Sequence, residues 1–114
     1  MEQIVDLQND AGFQALGVPL VSIAFDSLDQ LAGGAAEYGI TAVPLLSDGD
    51  HAVSEAYGVL QWAVASGEPG HTFVLVDGDG QIAWLQDYGA PENRGVMYVE
   101  VDELTQEVGG ALGR

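Results

Sequence analysis

Residues 71–86 read HTFVLVDGDGQIAWLQ, and how they fold decides the architecture. Two apolar runs, 72–76 and 81–85, flank Asp77, Gly78, Asp79 and Gly80. Asp-Gly pairs supply the positive φ that a tight reversal needs. The stretch therefore predicts an antiparallel hairpin. Its aspartates also resemble the start of a calcium loop, but a third oxygen ligand and the closing glutamate are missing.

Upstream, residues 18–25 read VPLVSIAF. This run is almost wholly apolar and rich in β-branched residues, which predicts a strand buried on both faces, as in a parallel sheet. Pro19 delays pairing to the residues after it. Ser27 and Gln30 have the spacing of a capping box, so a helix is predicted from Leu28 to about Tyr38, closed by Gly39. Residues 43–46 form a short extended piece. Asp48 or Asp50 can cap a short helix over 52–57, which Gly58 ends.

At the front of the chain, Ile4, Leu7 and Ala11 sit at helical spacing, which predicts a helix over 2–16, weakened by Gly12 and ended by Gly17. Residues 61–70 and 88–99 read as irregular. Val101, Leu104, Val108 and Leu112 define a final amphipathic helix, with Asp102 and Glu103 at its positive end. Strands alternating with helices, then a hairpin, predict an α/β fold with a mixed sheet. The 114 residues suit a single domain, 1–114.

Composition narrows the function. Eighteen acidic residues stand against two arginines, Arg94 and Arg114, and no lysine, a net charge of −16. That charge repels nucleic acid and anionic lipid, so neither is an expected partner. The acids are spread along the chain, which suits a surface screened by high salt or a lineage that uses little lysine. No run is long enough to span a bilayer, and the N-terminus is not a signal peptide. With no cysteine there is no disulfide framework, and the cytoplasm is the expected compartment.

His51 and His71 lack a third nitrogen or sulfur ligand, so no metal site is expected. SDGD at 47–50 is explained by a loose cation or equally by a helix cap. Trp62 and Trp84 read as packing residues. No serine elbow, phosphate-cradling loop or HExxH helix is present, and no cofactor is expected.

Several words recur in a familiar order: IAFDS at 23–27, YGI at 38–40, PLLSDGD at 44–50, AYGV at 56–59 and HTFVLVDGDGQI at 71–82. Together they resemble the AhpC/TSA redoxins, the peroxiredoxin-like branch of the thioredoxin fold, over roughly residues 2–85. The resemblance implies a thioredoxin-like three-layer α/β sandwich. It also implies a lineage of antioxidant thiol peroxidases and thiol-disulfide oxidoreductases. In such redoxins a reactive cysteine lies at or just before the first core helix, where a lowered pKa makes the thiolate the nucleophile. Here EQIVDLQ resembles the body of that helix, and Met1 falls about where the cysteine would be. The central strand that precedes the helix is absent from the match, so the fold is expected to be truncated at its N-terminus.

The family's cis-proline or catalytic arginine, two residues before the Thr-Phe of the later strand, corresponds to Gly70; Pro69 lies one residue earlier. The loop of Pro69, Gly70, His71 and Thr72 is thus the family-equivalent neighbourhood of an active site without its nucleophile, and no catalytic residue is assigned. The chain is expected to be inactive alone; the alternative is a non-catalytic module for oligomerisation or partner binding. Without the central strand, the strand at 18–25 and that at 72–76 are expected either to pair directly or to be covered by a second chain, in a homodimer or by a strand-donating partner.

Overall fold

The computed structural model describes residues 1–64 and 66–113; Ala65, within the irregular 61–70 stretch, and Arg114 lie outside the described residues. The elements run α1 (Glu2–Asn9), α2 (Ala11–Gln14), β1 (Ser22–Ala24), α3 (Leu28–Tyr38), β2 (Leu45–Ser47), α4 (Ala52–Ala56), β3 (Thr72–Val76), β4 (Ile82–Asp87) and α5 (Val101–Ala111). Single 3₁₀ turns occupy Val59–Trp62 and Pro91–Asn93.

The hairpin forms as its sequence predicts. Asp77 N–H donates to Gln81 O at 2.8 Å, and Gly80 N–H donates to Asp77 O at 3.0 Å. Asp77 Oδ1 accepts from Asp79 N–H and Gln81 N–H, both at 2.9 Å. The left-handed residue is Gly80, at φ +78°. This is the longer loop in which a type I turn is followed by a left-handed glycine, not a two-residue reversal.

The helix expected over 2–16 is two helices. Asp10 is extended at ψ 119°, and its Oδ2 accepts from Phe13 N–H at 2.8 Å. An aspartate that can bond the backbone locally competes with helix continuation, and here it starts α2 instead. Ser27 and Gln30 make the reciprocal capping box of α3, and Gly39 ends that helix at φ +74°.

The sheet departs from expectation. β1 pairs with β2 in parallel, Ser22 opposite Leu45 and Ala24 opposite Ser47. β3 pairs with β4 in antiparallel, from Thr72 opposite Asp87. These are two separate two-stranded ribbons, and β1 does not pair with β3. Direct pairing, one of the two outcomes expected, is therefore wrong. Each strand is held from its far side by its own partner, and apolar side chains such as Val21, Tyr57 and Val74 line the space between. The expected eight-residue strand shrinks to three because only β2 offers it a ladder.

The two ribbons are supported unequally. α5 packs on β4, α2 and α1. Leu7, Phe13, Leu75, Tyr88, Val99, Leu104 and Val108 form one buried cluster there. On the other side Leu31, Ile40 and Val43 are buried but lie outside that cluster. The chain's radius of gyration is 13.9 Å, close to the value of about 13 Å for a compact domain of this length. The two ribbons stay within one compact body, with an open space between them.

Candidate functional site

A cavity of about 570 Å³ lies between the ribbons. All five residues of β3 line it. Successive strand residues point to opposite faces, so a cavity that touches all of them runs along the strand's edge. Val21 and Ile23 from the β1 segment line it too, with Leu7, Leu104, Val53 and Tyr57. Five of these wall residues, Val21, Ile23, Val53, Tyr57 and Val76, are exposed. Large apolar side chains at that exposure are thus gathered on one slot.

Ladder parity shows what the two edges present. Ser22 N–H donates to Pro44 O, and Ala24 O accepts from Asp48 N–H at 2.7 Å. In a parallel ladder alternate residues serve one neighbour, so the Ile23 N–H and C=O point away from β2. On the hairpin, Tyr88 N–H donates to His71 O at 2.8 Å. His71, Phe73 and Leu75 thus face β4, and the backbone groups of Thr72 and Val74 point away from it. No backbone partner outside the ladders is found for Ile23, Thr72 or Val74 among the described residues. By contrast, every buried side-chain nitrogen and oxygen among the described residues has a partner.

The four sequence-assigned residues divide. Pro69 and Gly70 line the slot and also a smaller cavity of about 250 Å³. That second cavity collects Met1, Ile4, Phe25, Asp26 and Glu68. Met1 caps α1 there and packs its thioether against Gly34 of α3; a methyl at Gly34 would collide with Met1 Sδ and Cε. The Met1 thioether is flexible and could move aside, but at Gly70 the neighbour is backbone, with Trp62 O 3.0 Å from where its Cβ would be. Thr72 lines the slot, but its hydroxyl donates to Asp87 Oδ1 at 2.8 Å. No peptide bond among the described residues is cis, that before Pro69 included.

His71 turns to a structural task. Its Nε2 lies 3.0 Å from Gln3 Oε1. An amide oxygen only accepts, so Nε2 carries the proton. The same oxygen accepts from Val99 N–H at 2.7 Å, while Gln3 Nε2 donates to Val99 O at 3.0 Å. Gln3 thus ties α1 to the segment entering α5, with His71 completing the set. Burial, helped by the Met1 ammonium, lowers the His71 pKa, against an opposing pull from Asp87.

Two buried carboxylates hold the loops: Asp87, which the sequence does not single out, and Asp48, a cap candidate of SDGD. Asp87 is almost fully buried and accepts from Ala90 N–H at 2.9 Å, Asn93 Nδ2 at 3.1 Å, Thr72 Oγ1 and Gly89 N–H. Burial alone would raise its pKa; those hydrogen bonds outweigh it and hold the carboxyl below its ordinary range. Asp48 does the same at α4, accepting from Ser54 N–H at 2.8 Å and Val53 N–H at 3.1 Å, and again bonding overcomes desolvation. This is the cap expected of SDGD, with Asp50 Oδ1 receiving Ala52 N–H at 3.1 Å. The only sequence signal for Asp87 is its place at the end of the apolar run, before Tyr88 and Gly89.

Chemically reactive groups are sparse around both cavities. Arg94 lines neither; it bonds Glu103 and sits 5.4 Å from the Tyr88 ring centroid. His51 stacks on Phe25 with ring centroids 3.7 Å apart. Among the described residues no group of three histidines or carboxylates could hold a metal. None of their helices is long and apolar enough to cross a membrane.

A parallel β1–α3–β2 crossover beside an antiparallel hairpin and a closing helix is an α/β arrangement of the redoxin class. Residues 2–85 match the AhpC/TSA family, and the chain belongs to that family. No curated protein and no solved structure matches it. The family brings with it the thioredoxin-like α/β fold and a redoxin-type peroxidase and oxidoreductase lineage.

Proposed function

We propose that this chain is one redoxin domain of a thiol peroxidase or oxidoreductase lineage that does not itself turn over peroxide or disulfide. A single observation carries the reading. Met1, Pro69 and Gly70 meet at one cavity beside the start of α1, and nothing in the 114 residues can form a thiolate. Sulfenic acid and mixed-disulfide intermediates both need that sulfur. Among the described residues no side-chain guanidinium or imidazolium stands there to hold a thiolate and polarise a peroxide: Arg94 bonds Glu103, and a lowered pKa favours neutral His71.

The test is direct. Purified chain, verified by mass spectrometry, should consume no hydrogen peroxide and reduce no insulin disulfide above a buffer blank. Turnover above the blank would overturn the reading. A second reading, a partner-binding module built on a redoxin fold short of its central strand, is favoured by the open slot between β1 and β3. The slot's free edges and exposed apolar walls support it.

A further inference from the structure

We propose that the slot between β1 and β3 is a strand-acceptor site, and that its occupant is an extended apolar segment of a partner chain with basic residues at its ends. The proposal deepens the partner-binding reading and rests on it.

Three observations define the occupant. The first is the pair of edges. Ile23 on one wall and Thr72 and Val74 on the other aim backbone donors and acceptors away from their own ladders. Only an extended backbone lying between them can satisfy both rows at once, which is how strand addition gains affinity. The second is the lining. The lining is mostly apolar, with Leu7, Leu104, Val53 and Tyr57 among its side chains, so an inserted segment is favoured by apolar residues. β3 has five residues, and a strand rises about 3.3 Å per residue, so about five inserted residues span its edge.

The third observation is charge. The protein carries −16, and Glu68 and Asp26 line the cavity that adjoins the slot at Pro69 and Gly70. A segment entering this field is favoured by lysine or arginine at its ends and opposed by acids. A second copy of this chain fits worse. It carries the same charge, and each of its described strands already has a ladder partner, so none can enter without leaving its own ribbon.

The experiment uses the full chain and a synthetic peptide, acetyl-KVLVIAK-amide. The expected result is saturable binding in low salt. Amide signals of Ile23, Thr72 and Val74 should shift and gain protection from exchange, while those of Phe73 and Leu75 change little. Replacing both peptide lysines by glutamate should weaken binding roughly tenfold or more. Methylating alternate peptide nitrogens strips the donors from one edge of the inserted strand and should abolish binding. Val74→Pro removes one donor that faces the slot and should weaken binding. If that variant does not fold, the methylated peptide tests the same bonds from the ligand side.

Absence of saturable binding at millimolar peptide would overturn the proposal. So would binding that spares Ile23, Thr72 and Val74, or equal affinity for the glutamate peptide. Sedimentation as a dimer, with those three amides already protected, would assign the slot to a second copy and overturn the occupant named here. None of these outcomes bears on the peroxide assay, so the two readings fail separately.

Discussion

The two ribbons of this molecule have the same number of strands and opposite fates. The hairpin β3–β4 rests on α5, α1 and α2 and shares one buried cluster with them. The parallel pair β1–β2 rests on α3; Leu46 of β2 and Val21, just before β1, are about half exposed, at 48% and 47%. Both runs are comparably apolar in sequence. The difference lies in neighbours: a strand is buried by what lies on either side and on its faces, not by its composition. The hairpin brings its own partner through a turn, while β1 finds a partner on one edge only.

The contrast is tested most severely by truncating one apolar residue in each half. Leu104, 1% exposed, sits in the cluster under the hairpin, and Leu104→Ala should cost about 2–5 kcal/mol. That is a large share of the roughly 5–15 kcal/mol stability of a small domain. Val21→Ala, on the slot wall, should change stability by no more than about 0.5 kcal/mol. Urea unfolding of the two variants measures both. Equal losses would mean that the slot is closed in solution and the comparison false.

A smaller effect separates the two buried carboxylates. Asp87→Ala strips partners from Ala90 N–H, Gly89 N–H, Asn93 and Thr72. Of these bonds only that from Ala90 N–H is fully buried, and a buried donor left unpaired costs about 1–3 kcal/mol; the part-buried donors can turn to water. Asp48→Ala frees two N–H groups at the start of a five-residue helix, and its loss should be the lesser of the two. Because both carboxyl pKa values are lowered in the fold, their contribution is present above the ordinary carboxylate range. It is lost as pH falls through the folded values. The acid limb of a stability profile should therefore flatten in either variant.

The smallest of these effects belongs to His71. Its folded pKa lies below the ordinary 6.5, so the unfolded chain takes up the proton first on acidification. Stability from the neutral imidazole is full above that value and declines as pH falls below it. Protonating carboxylates on a chain of −16 relieves repulsion at the same time, so the measurement is a difference. The drop in melting temperature from pH 7 to pH 5 should be greater for the wild type than for His71→Gln. The same slope in both proteins would remove His71 from the account.

Much of this arrangement is legible in the sequence because it is local. The capping box at Ser27 and Gln30, the hairpin around Asp77 and the cap at Asp48 all involve residues within a few positions of one another. Their hydrogen bonds are spelled out by spacing. The ribbon separation is not local. Residues 18–25 read as a doubly buried strand, and only the distant placement of β3 decides whether a second neighbour exists. Gln3 is similar: nothing in MEQIV announces that its amide will hold Val99, 96 residues away. Asp87 is intermediate, since three of its four partners lie within six residues but in a stretch without periodicity. The loop at 69–72 was placed by family likeness alone, and the structure keeps Pro69, Gly70 and Thr72 on the slot while taking His71 into the Gln3 network.

β1 and β3 stand in separate ribbons with their inner backbone groups unpaired across the slot. Hydrogen exchange at single amides tests it most directly, because ladder parity makes a pattern within each strand. Ser22, Ala24, Phe73 and Leu75 should be protected, while Ile23, Thr72 and Val74 between them should exchange rapidly in the free chain. Uniform protection along β3 and at Ile23 would contradict it, since it would show the slot already closed.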